Sequence, residues 1–260
     1  LISMPLVGAT APATILGSLV QHTAESFSGL VINQLAKPGA PIVYGGAPEL
    51  FDMRSGISST GAIETVILSC AYTQIGKYLG VPTHGYLGSS DAKICGVQSG
   101  IEDTMGIILG SLAGMNMISG TCALNFLLTL SYEKLIIDNE IIGIAKRMLK
   151  GIVPREENLA TTVIRRVGHK GNFLSDPHTL RMFKKDQFFP SSIIDRHSLD
   201  DWQKKGAKGT NQQAIDKIPE ILAQYQLKDI PGEVERELDK IMTYSLRKYG
   251  MDEIPESAKE

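Results

Sequence analysis

What the chain lacks narrows its function first. It holds three cysteines, Cys70, Cys95 and Cys122, widely spaced and without a CxxC pair. That gives no disulfide framework, and an odd set of scattered thiols points to a reducing, cytoplasmic compartment. No apolar run reaches membrane-spanning length: Met105–Ile118 is too short and carries Ser111 and Asn116. No secretory or lipidation pattern is visible. Neither sign of charge dominates, with 26 Lys and Arg against 28 Asp and Glu. A strongly basic surface for nucleic acid or an anionic membrane is therefore not expected. Aromatic residues make up only 6%. There is no GxGxxG turn, Walker loop, GxSxG elbow or HExxH helix, so the usual signatures of dinucleotide, nucleotide, hydrolase and zinc-protease chemistry are missing.

What is present reads as an ordered globular chain, 43% hydrophobic over 260 residues. Charge is uneven along it. Residues 1–140 carry five basic against ten acidic side chains, and the remainder 21 against 18. The first part is apolar and glycine-rich, and the second reads as a charged helical tail. The sequence opens at Leu1 directly into an apolar segment, which suggests the second half of a longer polypeptide.

Four β-loop-α units are expected. Leu1–Val7 reads as a buried strand, and Thr10 and Pro12 suit the entry of a helix over Ala13–Leu35. Along that helix Ile15, Leu19, His22, Ser26, Leu30 and Asn33 form one line, with Leu16, Val20, Phe27 and Val31 beside it. Pro41–Tyr44 is the second strand, followed by an irregular insert over Glu49–Ser59 and a helix over Gly61–Leu79. Thr83–Leu87 is the third, with Gly88-Ser89-Ser90-Asp91 opening a helix that runs to Ala113. Met117–Ser119 is the fourth, with a loop over Gly120–Leu128 and a helix over Thr129–Leu149. Such repeats imply a parallel sheet with outer helices. Short, evenly spaced strands favour a (β/α)8 TIM-barrel half over a doubly wound sheet, with residues 1–152 forming about four of its βα units. Residues 153–260 read as a mostly helical extension with short helices at Arg155–Gly168, Thr179–Lys185 and Leu199–Gly206, then amphipathic helices over Thr210–Leu227 and Val234–Tyr249.

In a parallel barrel, ligands bind at the carboxyl ends of the strands. The row to examine is Thr10, Tyr44-Gly45-Gly46, Tyr86 with Ser89, Ser90, Asp91 and Lys93, and Ser119–Asn125. Tyr44 and Tyr86 offer either two ring faces for a quaternary ammonium, or two ordinary half-buried tyrosines. Asp91 is either a helix cap or an oriented carboxylate. Gln98 and Glu102, four apart, share a helix face that is turned inward or solvated. Cys122 is a nucleophile or metal ligand, or inert core; zinc would also need groups such as Cys95 and His84. His22 reads as a satisfied core histidine. His169, His178 and Gly171–Leu174 form a lid or a plain surface connection.

The order of several motifs resembles the trimethylamine methyltransferase family. They are Met4-Pro5…Gly8-Ala9-Thr10-Ala11-Pro12-Ala13-Thr14…Gly17, His22…Ala24-Glu25, Lys37-Pro38-Gly39-Ala40-Pro41 with Tyr44-Gly45-Gly46, Ser90-Asp91-Ala92-Lys93…Gln98…Glu102, Ser131-Tyr132-Glu133…Asp138-Asn139-Glu140-Ile141-Ile142-Gly143, and Phe173-Leu174…His178-Thr179. The resemblance spans nearly the whole chain and matches the family's C-terminal half. It implies a barrel enzyme that moves a methyl group from an amine to Co(I) of a separate corrinoid protein, with no tightly bound cofactor of its own. Trimethylamine enzymes of the family carry pyrrolysine at a position that falls near Asn125. Ordinary residues stand there in this chain, which is similar to the non-pyrrolysine, glycine betaine branch. The substrate-binding set expected on this reading is Tyr44, Gly45, Tyr86, Ser89, Asp91, Lys93, Gln98, Asn125 and Glu133, with no metal ligand; the catalytic group stays unassigned. Homo-oligomerisation is open. The alternatives are a non-catalytic betaine-binding barrel and a zinc-dependent corrinoid methyltransferase for another methyl donor.

Overall fold

Strand and helix alternate through the first 150 residues of the computed structural model, which describes residues 2–226 and 230–251. A short strand β1 (Leu6–Val7) leads to helix α1 (Ile15–Ala36). Strand β2 (Tyr44–Gly46), a hairpin of β3 (Glu49–Asp52) and β4 (Ile57–Ser59), and α2 (Ile63–Tyr78) follow. Then come β5 (Thr83–Gly85), α3 (Val97–Leu112), β6 (Met117–Ile118), a second hairpin of β7 (Ala123–Leu124) and β8 (Thr129–Leu130), and α4 (Tyr132–Leu149). The helices after them are α5 (Glu156–Leu159), α6 (Thr161–Val167), α7 (Pro177–Asp186), α8 (Leu199–Lys204), α9 (Thr210–Ala223) and α10 (Gly232–Lys248). The chain divides into two units, Leu1–Ile218 and Pro219–Glu260. Within the second, α10 shows Val234, Leu238, Ile241 and Met242 on its surface. No described helix is long and apolar enough to cross a membrane.

Neighbouring parallel segments follow chain order. Ser3 bridges Gly46 of β2, β2 pairs with β5 through Gly45↔His84, and β5 pairs with β6 through His84↔Met117. The helices repeat that order, α1 packing on α2, α2 on α3 and α3 on α4. The result is a mixed α/β architecture whose described strands do not close into a barrel. The insert expected to be irregular is instead the β3–β4 hairpin, with β3 also pairing in parallel with β1.

Alternation along the strands sorts the side chains. Thr83, Gly85 and Leu87 turn towards the helices, and Tyr44, level with Thr83, turns the same way. Tyr44, Val66, Tyr72, Leu87 and Met115 form the main core cluster there. Tyr72 donates its hydroxyl to the His84 carbonyl at 2.9 Å. Helix α3 comes so near β5 that a β carbon on Gly106 would strike the Leu87 carbonyl. The opposite, inner face carries Ile2, Val43, Gly45, His84, Tyr86, Met117 and Ser119. It is open: Ile2, Val43 and Met117 are 61%, 57% and 53% exposed.

Several expected boundaries move, for local reasons. Thr14, not Thr10, caps α1 by accepting from the Gly17 N–H; Thr10 instead accepts from the Leu6 N–H at 2.8 Å. The second strand begins at Tyr44, where pairing with Thr83 starts, rather than at Pro41, which has no N–H to give. Helix α4 begins after Ser131, whose hydroxyl accepts from the Lys134 N–H at 3.0 Å. The segment expected to be one helix over Arg155–Gly168 breaks at Ala160, which is left-handed at φ 51°. Of the two lines on α1, that of His22 faces inward, whereas Leu16 and Val20 are exposed. Leu1 and Leu227 lie outside the described residues.

Two buried polar groups are unusual. His22 is fully buried, stacked on Tyr72 at 4.7 Å and edge-on to Tyr44 at 6.0 Å. It is a core histidine whose ring nitrogens make no well-formed hydrogen bond among the described residues, although the Gly45 backbone lies close enough to favour the charged ring slightly. Burial pulls its pKa from 6.5 to about 4. The second is Lys134 on α4. Its ammonium reaches Asp138 at 2.7 Å, Asp103 of α3 at 2.9 Å and the Gly88 carbonyl at 3.0 Å, with the three charged side chains at 1% exposure or less. Asp138 also accepts from the Cys122 N–H at 2.8 Å. Burial and the neighbouring Asp138 carboxylate push the Asp103 pKa up, and the Lys134 ammonium works against that rise.

Both groups make testable differences. The unfolded chain protonates His22 below about pH 6.5, the folded protein only below about 4, so folding loses roughly 3 kcal/mol across that fall in pH. In His22→Leu that loss is absent, and the variant-minus-wild-type stability from urea melts grows as pH drops from 6.5 to 4. Lys134→Met strands two buried carboxylates and costs about 3–5 kcal/mol in the same assay at pH 7. Asp103→Asn leaves a one-to-one ion pair and costs less.

Candidate functional site

The loops that follow β2, β5 and β6 are laced together at one end of the sheet. Ser90 N–H donates to the Ala123 carbonyl at 3.1 Å, Asn125 N–H to Ala92 at 2.9 Å, and Gly88 N–H to Ser119 at 3.0 Å. The Asp91 carboxylate gathers the loop before α2, accepting from Thr60 N–H at 2.9 Å, Thr60 Oγ1 at 3.0 Å, Gly61 N–H at 3.2 Å and the Ser59 hydroxyl. Asp91 therefore does not cap the helix that follows it. Helix α3 starts six residues later at Val97, where Ser99 Oγ accepts from the Gly96 N–H. Glu102 turns inward from α3, accepting from Ser90 Oγ at 2.6 Å, Asp91 N–H at 2.9 Å and Gln98 Nε2 at 2.9 Å. Gln98 itself is exposed.

The β7–β8 turn on the other side is strained. Asn125, Phe126 and Leu127 are successive left-handed residues at φ 50°, 58° and 68°, and Cys122 sits at 67°. Asn tolerates that region, but Phe and Leu cost of order 1–3 kcal/mol each there. Lys93 braces the turn, its ammonium 3.8 Å from the centre of the Phe126 ring and 2.7 Å from the Asp91 carbonyl. Burial raises the pKa of Cys70, Cys95 and Cys122, which favours the thiol over the thiolate at each. Among the described residues no group of three or more His, Cys, Asp or Glu is arranged to hold a metal.

The expected site residues thus separate into four places. Ser89, Asp91, Lys93 and Asn125 come together in the loop cluster, with Gln98 at its edge through Glu102. Glu133, half-buried in the first turn of α4, has its carboxylate close enough to Cys95 to help raise that thiol. Gly45 and Tyr86 lie on the inner face of the sheet. Tyr44 does not join them: it is 3% exposed, packed on His22 and Tyr72 in the helix layer, with its hydroxyl 3.4 Å from Thr23 Oγ1. A cage made of both Tyr44 and Tyr86 is overturned by strand parity, since the level that pairs Tyr44 with Thr83 places Tyr86 on the other side. Gly171–Leu174 forms an exposed turn between α6 and α7, tied by the Arg166–Asp176 pair and by Thr179 Oγ1 donating to the Phe173 carbonyl.

Sequence reasoning missed His84 as an inner-face group. Its Nε2 lies 2.7 Å from Ser119 Oγ, and its ring meets Tyr86 edge-on at 4.9 Å. The signal was available in the alternation Thr83-His84-Gly85-Tyr86-Leu87. Around the cluster Asp91, Glu102 and Glu133 outnumber Lys93, so the field there favours a cationic guest.

The family model for trimethylamine methyltransferase (MTTB) matches residues 1–250. The trimethylamine methyltransferase MttB of Methanosarcina barkeri (strain Fusaro) is 34% identical over 243 residues, 93% of this chain and 48% of its own length. MttB of Methanosarcina thermophila is 35% identical over 239 residues, 91% of this chain and 49% of its own length. The glycine betaine methyltransferase of Desulfitobacterium hafniense (strain Y51) is 34% identical over 238 residues, again 91% of this chain and 48% of its own length. The chain spans about half the length of these curated relatives. With its loops gathered at one end of a parallel sheet and a family match over nearly its full length, the chain belongs to the trimethylamine methyltransferase family.

Proposed function

We propose that residues 1–152 are the C-terminal half of a (β/α)8 barrel, with 153–260 as a helical extension. In the complete barrel they would serve transfer of a methyl group from a quaternary amine of the glycine betaine type to Co(I) of a cognate corrinoid protein in the cytoplasm. The observation that carries this reading is the unreversed order of parallel segments, Ser3, β2, β5, β6, with helices in the same order outside. A doubly wound sheet reverses order at its switch point; a barrel arc does not.

The choice of donor follows from the chemistry of the mouth. A quaternary ammonium leaves as a neutral amine and needs no proton from the protein. Co(I) is itself a strong nucleophile, so the protein's work is alignment, exclusion of water and retention of the cation. The carboxylates at the mouth, Asp91 and Glu102, are held by several donors each. Tyr86 offers the aromatic wall, and the residue near the family's pyrrolysine position, Asn125, supports the non-pyrrolysine branch.

The test is a methylation assay with the full-length protein, Co(I) cobalamin and a panel of methylated amines, read from the cobalamin spectrum. Glycine betaine or a close relative is expected to methylate cobalt and trimethylamine is not; methyl transfer from no quaternary amine refutes the proposal. Tyr86→Ala is expected to weaken quaternary amine binding about 3- to 30-fold, the size of one cation–π contact. Tyr44→Phe leaves it unchanged.

A further inference from the structure

The inner face holds a polar group that the transfer chemistry does not use. His84 and Ser119 come from neighbouring strand segments, and side chains at alternate positions, Leu87 and Ile118, pack into the helix layer behind them. Burial lowers the His84 pKa, so the ring is neutral at neutral pH. A neutral imidazole carries one N–H and a serine one O–H. The 2.7 Å contact between Nε2 and Oγ uses one of these two protons, whichever tautomer is present. The pair therefore keeps one donor over, either His84 Nδ1–H or Ser119 O–H. Nδ1 has no hydrogen-bond partner among the described residues. Beside the ring lies a cavity of about 160 Å³ lined by Ile2, Val43, Gly45, Gly46, His84 and Met117. Its other walls are apolar side chains and bare backbone. On that wall only glycine fits at position 45, since a β carbon there, φ 153°, would strike the His84 carbonyl of the adjacent strand.

We infer that His84 and Ser119 form the anion-accepting end of the site, taking the carboxylate of a zwitterionic methyl donor whose ammonium rests against Tyr86. The inference rests on the proposed function and adds the group that distinguishes a betaine from other quaternary amines. The His84 and Tyr86 rings are 4.9 Å apart, short enough for one small zwitterion to reach both. A carboxylate accepts a charge-assisted hydrogen bond from the spare donor, which is stronger between apolar walls than in water. A donor without a carboxylate leaves that hydrogen unpaired, and a site built to hydrogen-bond its ligand discriminates against such an analogue.

Titration calorimetry on the full-length protein with glycine betaine, choline and tetramethylammonium tests this. Ser119→Ala and His84→Phe are each expected to weaken glycine betaine about tenfold or more while moving tetramethylammonium by less than about twofold. Tyr86→Ala is expected to weaken all three. Parallel weakening of glycine betaine and tetramethylammonium, or unchanged glycine betaine binding in both variants, overturns the inference and leaves the cation reading standing. Failure of every quaternary amine to bind the wild type overturns both. Thermal melting accompanies each variant, and if His84→Phe does not fold, the smaller Ser119→Ala decides.

Discussion

One ammonium group, shut away from water, holds the working end of this structure in place. Lys134 leaves α4, meets an acid from its own helix and another from α3, and closes on the carbonyl of Gly88. Through Asp138 the same network grips the backbone at Cys122. The loops after β5 and β6 are thus anchored from behind by the helix layer, not by one another alone. A charge buried without such partners would be prohibitively costly, so the four groups are interdependent. The strain in the Asn125–Leu127 turn can persist only because its surroundings are fixed this firmly.

In front of that anchor the sheet divides the aromatic residues by function. His22, Tyr44 and Tyr72 stack in the helix layer, where their bulk fills the core and their polar atoms have few or no partners. Tyr86 stands on the other side with His84. For Tyr44 and Tyr86 the difference is strand parity: Tyr44 is level with Thr83, and Tyr86 falls on the opposite parity.

Much of this was legible in the sequence. The βα rhythm, the four helices and the loop cluster of Ser89, Asp91, Lys93 and Asn125 follow from periodicity and turn chemistry. What could not be read depends on contacts distant in the chain. Asp91 resembles a cap because it precedes a helix-like run, yet its carboxylate is claimed by Ser59, Thr60 and Gly61, some thirty residues away. Tyr44 was placed by a strand whose register was set by Thr83, and a shift of one position decides the face. Lys134 and Asp138 look like an ordinary surface pair four apart; only the packing of α3 on α4 buries them and adds Asp103. The hairpins were hidden because strands of two to four residues leave almost no alternation to detect.

The close pass of two backbones at Gly45 has a bearing on how such a protein diversifies. With every larger residue barred there, that patch of the inner wall is the same peptide surface in any descendant that keeps the fold. Changes in the size of the guest space fall instead to the flanking Ile2, Val43 and Met117, whose exposed side chains border it. At those apolar positions single steps in size leave the polar pair and the backbone untouched.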